Sequence, residues 1–505
     1  MNQTSYRSEL LAYARPPGWQ NPLPPDVYDL LVIGAGPAGL AAAEAAVEGG
    51  AKVALIERHL IGGVSLLNGA VPSKAIIRTS RLYADMRHAE RFGAAVPTGI
   101  QENFTLAMDR MRRLRTRLGE YRSAERLKLA GVDLYFGAAH FIAADAITLA
   151  DAHMHKSATL RFKYALIATG ARPMPTDIPG LEQAGYFTSE EVFHIEEIPH
   201  RLVVIGGGQL GCELAQAFCR LGSHVAIVQD EAKFLPQEER DAAQLLSESL
   251  AQDGVEIHLN TTATAVRIAP SGEKLVDLVS DDFKSTLTVD HILTGVGRIP
   301  NVEALHLERA GVDYDTVRGI RVDDFLRTSN PRIYAGGDVC LERKYTHAAV
   351  ASAELAVANA LFDGGQKWSA LTIPWCTYTD PEIAHVGLYV SEAREQNIPV
   401  KTITVMMHDT DRSIVDGEGR GFVKIHIRDG TDQILGATIV AAHAGEMINE
   451  ITLAIDAGIG LTVLAKVIHA YPTQASAIKM AASAFAKSGA IHNIARPDWP
   501  VEEGI

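Results

Sequence analysis

Two glycine-rich turns carry the clearest chemical potential in this sequence. Gly34-Ala35-Gly36-Pro37-Ala38-Gly39 follows the apolar run Tyr28–Ile33, and Gly206-Gly207-Gly208-Gln209-Leu210-Gly211 follows Leu202–Ile205. In each, the first glycine permits a tight bend. The second lets backbone approach a pyrophosphate, and the third lets helix and strand pack closely. The helix amino terminus then offers unpaired N–H groups and a favourable dipole to phosphate. One such turn is a weak signal; two, each between a strand and a helix, are strong. The following strands end at Glu57 and Gln229, residues suited to a ribose hydroxyl. The spacings match: 57 − 34 = 23 and 229 − 206 = 23.

These residues need βαβ units to hold them. Tyr28–Ile33 and Lys52–Ile56 read as buried strands flanking a helix over 40–48, and the second unit places a helix over Cys212–Leu221. From about Trp368 the pattern changes. A strand over 421–427 and helices over 445–457 and 476–487 suit an α+β domain. Residues 1–26, rich in proline, read as an extension outside the core, and Ala495–Pro500 as an irregular tail.

A chain of 505 residues is long enough for about three domains. Its net charge of −14 argues against nucleic acid or an anionic membrane as a partner. No apolar run approaches the ~20 residues that span a bilayer, and the first residues lack a secretory plan, so a cytoplasmic location is expected. Cys212 and Cys219, on one helix, stand ~10 Å apart along its axis and cannot close a disulfide there. Nothing pairs them with Cys340 or Cys376, so all four are expected to be reduced, and no spacing suggests a metal site.

Further segments occur in a telling order. They are Gly62-Gly63-Val64-Ser65-Leu66-Leu67-Asn68-Gly69-Ala70-Val71-Pro72-Ser73-Lys74, Ala168-Thr169-Gly170, Thr294 to Asn301, Thr328 to Asp338, and Thr346-His347-Ala348-Ala349. With the two turns, this series resembles the class I FAD-dependent pyridine nucleotide-disulfide oxidoreductases over nearly the whole chain from about residue 17. Pro16-Pro17-Gly18-Trp19, Ile56-Glu57-Arg58-His59-Leu60 and Asp411-Arg412 resemble its mercuric-reductase-like branch in particular.

The resemblance implies an α/β fold of two Rossmann-like domains, for FAD and NAD(P), with a carboxy-terminal α+β dimerisation domain. The expected limits are 1–26 for the extension, 27–170 and 297–366 for the two parts of the FAD domain, 171–296 for the NAD(P) domain and 367–505 for the dimerisation domain. FAD would be held by Gly34, Gly36, Pro37, Ala38, Gly39, Glu57, Arg58, Gly63, Ser65, Lys74, Ala139, Ala168, Thr169, Gly170, Arg298, Gly337, Asp338, Thr346, His347 and Ala348. The nicotinamide nucleotide would meet Gly206, Gly208, Gln209, Leu210, Gly211, Glu213, Gln229 and Gly297. Gln229 suits NADH or NADPH; Asp230 and Glu231 would repel a 2′-phosphate, which Lys233 would partly offset, so NADH is favoured. Lys74 matches a lysine placed near the flavin N5, Glu213 matches its ion-pair partner, and Gln209 replaces a tyrosine that several members hold over the flavin.

The family's chemistry then departs. Its two redox cysteines fall where this chain has Ser65 and Ala70. Its proton-handling histidine and glutamate fall where this chain has Tyr471 and Ser476, while His469 reads as structural. Neither Ser65 nor Ala70 can form a disulfide, and no base is evident to make Ser65 a nucleophile. With neither loop nor tail cysteines, mercuric reduction is rejected. The expected activity is an NAD(P)H oxidoreductase that passes electrons from FAD to a small-molecule acceptor of organic or quinone type. The acceptor would sit among Ser65, Ala70, Tyr471 and Ser476, with Lys74, Glu213 and Tyr471 as catalytic residues in a homodimer. A nicotinamide transhydrogenase and a catalytically quiet FAD-binding sensor or scaffold are the alternatives.

Overall fold

A computed structural model of the chain describes residues 3–96, 98–150, 158–281 and 283–488. The tail expected over Ala495–Pro500 lies outside these residues. The fold is α/β, in two compact units that divide between Leu371 and Thr372, the second also taking in Arg91–Gly93.

The first unit is built on two parallel sheets. Tyr28–Ile33 lies at the centre of one, with Val53–Glu57 on one side and Ala158–Ile167 on the other; Val32 is in register with Leu55 and with Leu166. Asp133–Phe136 and Ile333–Ala335 extend it outward, also in parallel. All six residues of the central strand except Asp29 are buried, which is why its sequence is a continuous apolar run rather than an alternating one. Tyr28, Tyr135, Phe141 and Phe162 are fully buried in the core beside it. Each contributes roughly 1.5–3 kcal/mol of apolar burial.

The other parallel sheet runs Glu256–His258, His224–Val228, Arg201–Ile205, His291–Thr294. A three-stranded antiparallel sheet (Thr262–Ile268, Lys274–Val279, Lys284–Val289) packs with it around Val276 and Ile292. The chain leaves the first sheet and returns to it through a ribbon in which Ala171–Pro173 pairs antiparallel with Arg298–Pro300.

The second unit holds a five-stranded antiparallel sheet: Trp375–Thr377, Glu382–Gly387, Ile434–Ala441, Phe422–Arg428, Val400–Met406. Helices Ala444–Asp456 and Ser476–Ser488 share its core, where Ile425, Ile439, Ile451 and Ile478 are fully buried. The strand expected from Gly421 begins one residue later. Gly421 is bent to φ +115°, and a Cβ there would lie 1.9 Å from the Val440 carbonyl oxygen.

Two expectations are corrected. Residues 1–26 were expected to form an extension outside the core, yet Gln3–Ala14 is a helix whose Leu10 and Ala14 are buried. The helix lies on Phe104–Glu120: a Cβ at Gly119 would sit 2.8 Å from Leu10 Cδ1, and Thr116 Oγ1 donates to the Tyr6 carbonyl at 3.2 Å. The prolines end that helix but do not prevent it. The last compact unit was expected from 367 and begins at Thr372. Trp368–Ala370 is tied back to the first unit, because the Trp368 N–H donates to the Asp324 carbonyl at 2.7 Å and Ser369 Oγ donates to the Asp324 carboxylate at 2.7 Å.

Candidate functional site

The first glycine turn is shaped by close backbone approach. Gly34 has φ +106°, and a Cβ there would meet the Ala168 carbonyl oxygen at 2.4 Å; one on Gly39 would meet the Gly34 oxygen at 1.7 Å. The helix Pro37–Glu48 starts with no side chain capping its amino terminus, so its first N–H groups are left for a ligand. Three further predicted pieces close around this turn. A Cβ on Gly63 would lie 2.7 Å from Gly36 Cα, and one on Gly337 would lie 3.2 Å from the Cβ atoms of Ala38 and Ala349. Thr169 Oγ1 donates to the Asn301 carbonyl, and Asn301 Nδ2 donates to the Thr169 carbonyl. The result is a cradle of glycines and small side chains, and these residues fit the pyrophosphate of a dinucleotide such as FAD.

Around the cradle, Glu57 is buried, its Oε2 accepting from Ala35 N–H at 2.9 Å and Oε1 from His59 N–H at 2.7 Å. Burial holds this carboxyl above the usual range, against the lowering effect of those two bonds. Asp338 accepts from the Arg298 guanidinium at 2.6 Å, and Arg298 also donates to the Ala171 carbonyl at 2.7 Å. Thr346, His347 and Ala348 open the helix Thr346–Leu361. Arg58 is exposed on the turn after its strand, and Ala139 is buried in the core behind it.

The second turn repeats the first almost atom for atom. Gly206 has φ +108°, and Cβ atoms on Gly206 and Gly211 would strike the oxygens of Gly295 and Gly206 at 2.7 and 2.1 Å. Gly207 N–H donates to Gln229 Oε1 at 2.6 Å, as Ala35 N–H does to Glu57. The glutamine's oxygen thus holds this turn as the Glu57 carboxylate holds the first. The helix Gln209–Arg220 follows, again with no side-chain cap. Gly297 is at φ +118° where the chain crosses back.

The segment 62–74 is mostly helical: Gly63–Leu67, then a kink at Asn68-Gly69, then Ala70–Arg87. Gly62 and Gly63 both have positive φ, which lets so short a helix start directly against the first turn. Ser65 and Ala70 are half-buried, and Ser65 has no hydrogen-bonded base among the described residues. Lys74 Nζ lies 2.7 Å from Glu213 Oε2, with Glu213 only 3% exposed. The pair joins the helix of the small-residue segment to that of the second turn.

Two supports of this segment escaped sequence reasoning. The buried Arg115 donates from its guanidinium to the Leu67 carbonyl at 3.1 Å. Burial, and then the neighbouring Arg112, depress its pKa to about 10. Arg112 and Arg115 continue the buried stripe of Phe104, Ala107, Met108 and Met111, and arginines on such a stripe were the readable signal. The other support is the first helix: the Ala14 carbonyl accepts from Ile61 N–H at 3.1 Å, just ahead of Gly62.

Tyr471 and Ser476 lie in the second unit. Tyr471 is 77% exposed and its hydroxyl donates to Asp411 Oδ2 at 2.7 Å, a partner that sequence reasoning did not supply. Ser476 Oγ donates to the Thr473 carbonyl at 2.5 Å. His469 Nε2 lies 2.9 Å from Glu450 Oε1. All four cysteines carry free thiols. Burial pushes the thiols up, Cys219 to about 11, Cys340 to about 12 and Cys212 higher still. Among the described residues no acidic, histidine or cysteine group could hold a metal, and no helix is long and apolar enough to cross a membrane.

Two parallel sheets with matched nucleotide turns, joined by a return ribbon and followed by an α+β unit, define a flavin-dependent pyridine nucleotide oxidoreductase. The chain belongs to the pyridine nucleotide-disulphide oxidoreductase family, whose model matches residues 28–354, with the family's dimerisation domain over 373–482. That family works with FAD and NAD(P)H. Among its relatives, the mercuric reductase of Streptomyces lividans is 34% identical over 462 residues, 91% of this chain and 96% of that protein. The dihydrolipoyl dehydrogenase of Bacillus subtilis is 33% identical over 477 residues, 92% and 97% of the two chains. LpdA from Mycobacterium tuberculosis superposes with a TM-score of 0.82 at 28% identity, covering 90% of this chain and 99% of that one. The HOCl-induced flavoprotein disulfide reductase RclA of Escherichia coli does so at 0.78 and 26%, with the same coverage.

Proposed function

We propose that this chain is a FAD-dependent NAD(P)H oxidoreductase that works without a redox disulfide and passes electrons directly to a small organic or quinone-type acceptor. One observation carries the reading. The segment beside the Lys74–Glu213 pair holds Ser65 and Ala70 where the family's redox cysteines are expected, and no cysteine precedes Cys212 in the sequence. Neither side chain can be oxidised and reduced in a catalytic cycle. FAD, when bound, would supply the two-electron chemistry between reduced nicotinamide and acceptor; the hydride given up by the nicotinamide accounts for two electrons and one proton, and solvent for the acceptor's second proton.

The chain's own residues supply binding, orientation and charge. The glycine cradle and uncapped helix starts hold the pyrophosphates, while Glu57 and Asp338 face ribose and ribityl hydroxyls. Gln229 Nε2 binds the nicotinamide nucleotide's adenosine ribose, and Asp230 with Glu231 favours NADH over NADPH. Lys74 places a positive charge where negative charge develops, and Glu213 orients it. Ser65 and Ala70 are small, which leaves room for an acceptor beside them.

The dimerisation domain points to a homodimer, in which the Tyr471–Ser476 segment of one subunit would complete the acceptor pocket of the other. The exposed apolar surface in the second unit supports this. Ile468 is 90% and Leu453 66% exposed, and both border an open apolar hollow of ≈ 330 Å³.

The test is NADH oxidation by the holoprotein with a benzoquinone, before and after alkylation of its accessible thiols. Turnover that survives alkylation supports the reading. A protein that reduces a disulfide substrate and loses that activity on alkylation contradicts it. One that instead reduces only an oxidised nicotinamide analogue is a transhydrogenase.

A further inference from the structure

Residues 15–21 precede the stretch that the family model matches, which begins at Tyr28, yet they are fastened across the end of the first parallel sheet. Two strands end side by side there, Val53–Glu57 and Asp133–Phe136, with Glu57 in register with Phe136. Arg15 Nη1 donates to the carbonyls of Arg58 and His59 at 2.9 and 3.2 Å. His59 is thereby held from two sides, since its N–H already donates to Glu57. On the neighbouring strand, Trp19 Nε1 donates to the Leu134 carbonyl at 3.3 Å. The Asn21 amide pairs with both backbone groups of Phe136, accepting from its N–H at 2.8 Å and donating to its carbonyl at 2.9 Å. Asp133–Phe136 is the outermost strand of its sheet, so Asn21 supplies a partner that the edge lacks. The Phe136 ring links the two sets of bonds. The Arg15 guanidinium lies 5.1 Å from its centroid, and the Trp19 ring meets it edge-on at 5.8 Å.

In a doubly wound sheet the ligand lies beyond the carboxyl ends of the strands. An adenosine whose ribose bonds Glu57 therefore lies between the 58–59 turn and the backbone that follows Phe136. Connections at strand ends are mobile unless something ties them. Here one short segment ties both walls, Arg15 the first and Trp19 with Asn21 the second. Walls fixed before the ligand arrives need no ordering when it binds. FMN lacks the adenosine half and meets neither wall.

We propose that residues 15–21 are a strap that sets the walls of the adenosine end of the FAD site and so makes the site select FAD over FMN. Arg15 is the positioning residue: it acts through the Arg58 and His59 carbonyls and touches no reacting atom. The inference rests on the FAD-binding reading given above and adds to it a part of the chain outside the matched family region.

The test compares FAD, FMN and ADP on the full-length chain stripped of its flavin. Quenching of flavin fluorescence reads the first two, and competition with FAD reads ADP. Arg15→Met keeps the stem over Phe136 and removes both bonds to the turn. It is expected to weaken FAD and ADP about tenfold and to leave FMN unchanged. Asn21→Leu frees the other wall and is expected to move the FAD-to-FMN affinity ratio in the same direction, which keeps the test open if Arg15→Met does not fold. A ratio that stays unchanged in either folded variant overturns the strap and leaves the FAD reading standing. So does an ADP affinity that fails to follow that of FAD, or FAD and FMN weakened by one common factor. An unaltered chain that takes up no FAD overturns both.

Discussion

The Lys74 ammonium and the Glu213 carboxylate meet at 2.7 Å, and through them the small-residue segment is bolted to the helix of the second nucleotide turn. Glu213 is buried while Lys74 keeps about a third of its surface in solvent. Removing the lysine alone takes the opposite charge away from a buried carboxylate, which costs about 3 kcal/mol. Lys74→Met is therefore expected to lower stability by about that amount, whereas Lys74→Met with Glu213→Met recovers most of it. A double-mutant cycle by urea unfolding checks this. Loss that is additive in the double variant contradicts the pairing.

Glu57 gives a pH-dependent prediction. Burial raises its folded pKa above the unfolded value, so the folded chain holds the proton more tightly. Its ionisation then opposes folding: apoprotein stability falls as pH climbs from the unfolded value through the folded one. Glu57→Gln, which reproduces the Gln229 arrangement, is expected to remove that dependence above the ordinary glutamate range. It should also weaken FAD about tenfold through loss of one charge-assisted ribose bond. Unfolding against pH, and FAD release on dilution, read the two effects.

Tyr471 donates to Asp411, and that bond holds the phenol above its ordinary pKa. Asp411→Ala removes the acceptor and is expected to bring the Tyr471 ionisation down to the ordinary phenol range. An ultraviolet difference titration against Tyr471→Phe isolates the one group. Coincident titration curves for the unaltered protein and Asp411→Ala would sink the assignment.

The thiols of Cys212, Cys219 and Cys340 should be sluggish. Burial raises Cys219 to about 11 and Cys340 to about 12, and Cys212 lies higher, so little thiolate forms at pH 8. Ellman's reagent is expected to react slowly with these three in the native holoprotein, rapidly once it is unfolded, and identically before and after NADH is added. Two additional fast thiols on reduction would reveal a redox disulfide.

Much of this arrangement was legible from the chain. The nucleotide turns could be read because backbone contact allows only glycine: Gly34, Gly39, Gly206 and Gly211 each face a carbonyl oxygen where a Cβ would sit. Gln229 could be read as the counterpart of Glu57 because each stands at the end of the second strand of its unit, 23 residues after the first glycine of its turn. What stayed hidden depends on contacts distant in sequence. No local pattern ties Arg115 to Leu67, Gln209 to Tyr345 or Asp411 to Tyr471. The helix Gln3–Ala14 was obscured by the prolines that follow it, since its stability comes from packing Leu10 against Gly119 rather than from its own polar sequence.

If electrons leave this protein without passing through a disulfide, an anaerobic reductive titration reads it at the flavin itself. Dithionite is expected to bleach the flavin from the first addition, with about one two-electron equivalent per FAD completing the change. A demand for about two equivalents, with the first leaving the flavin oxidised and producing a long-wavelength thiolate-to-flavin absorption, would contradict it.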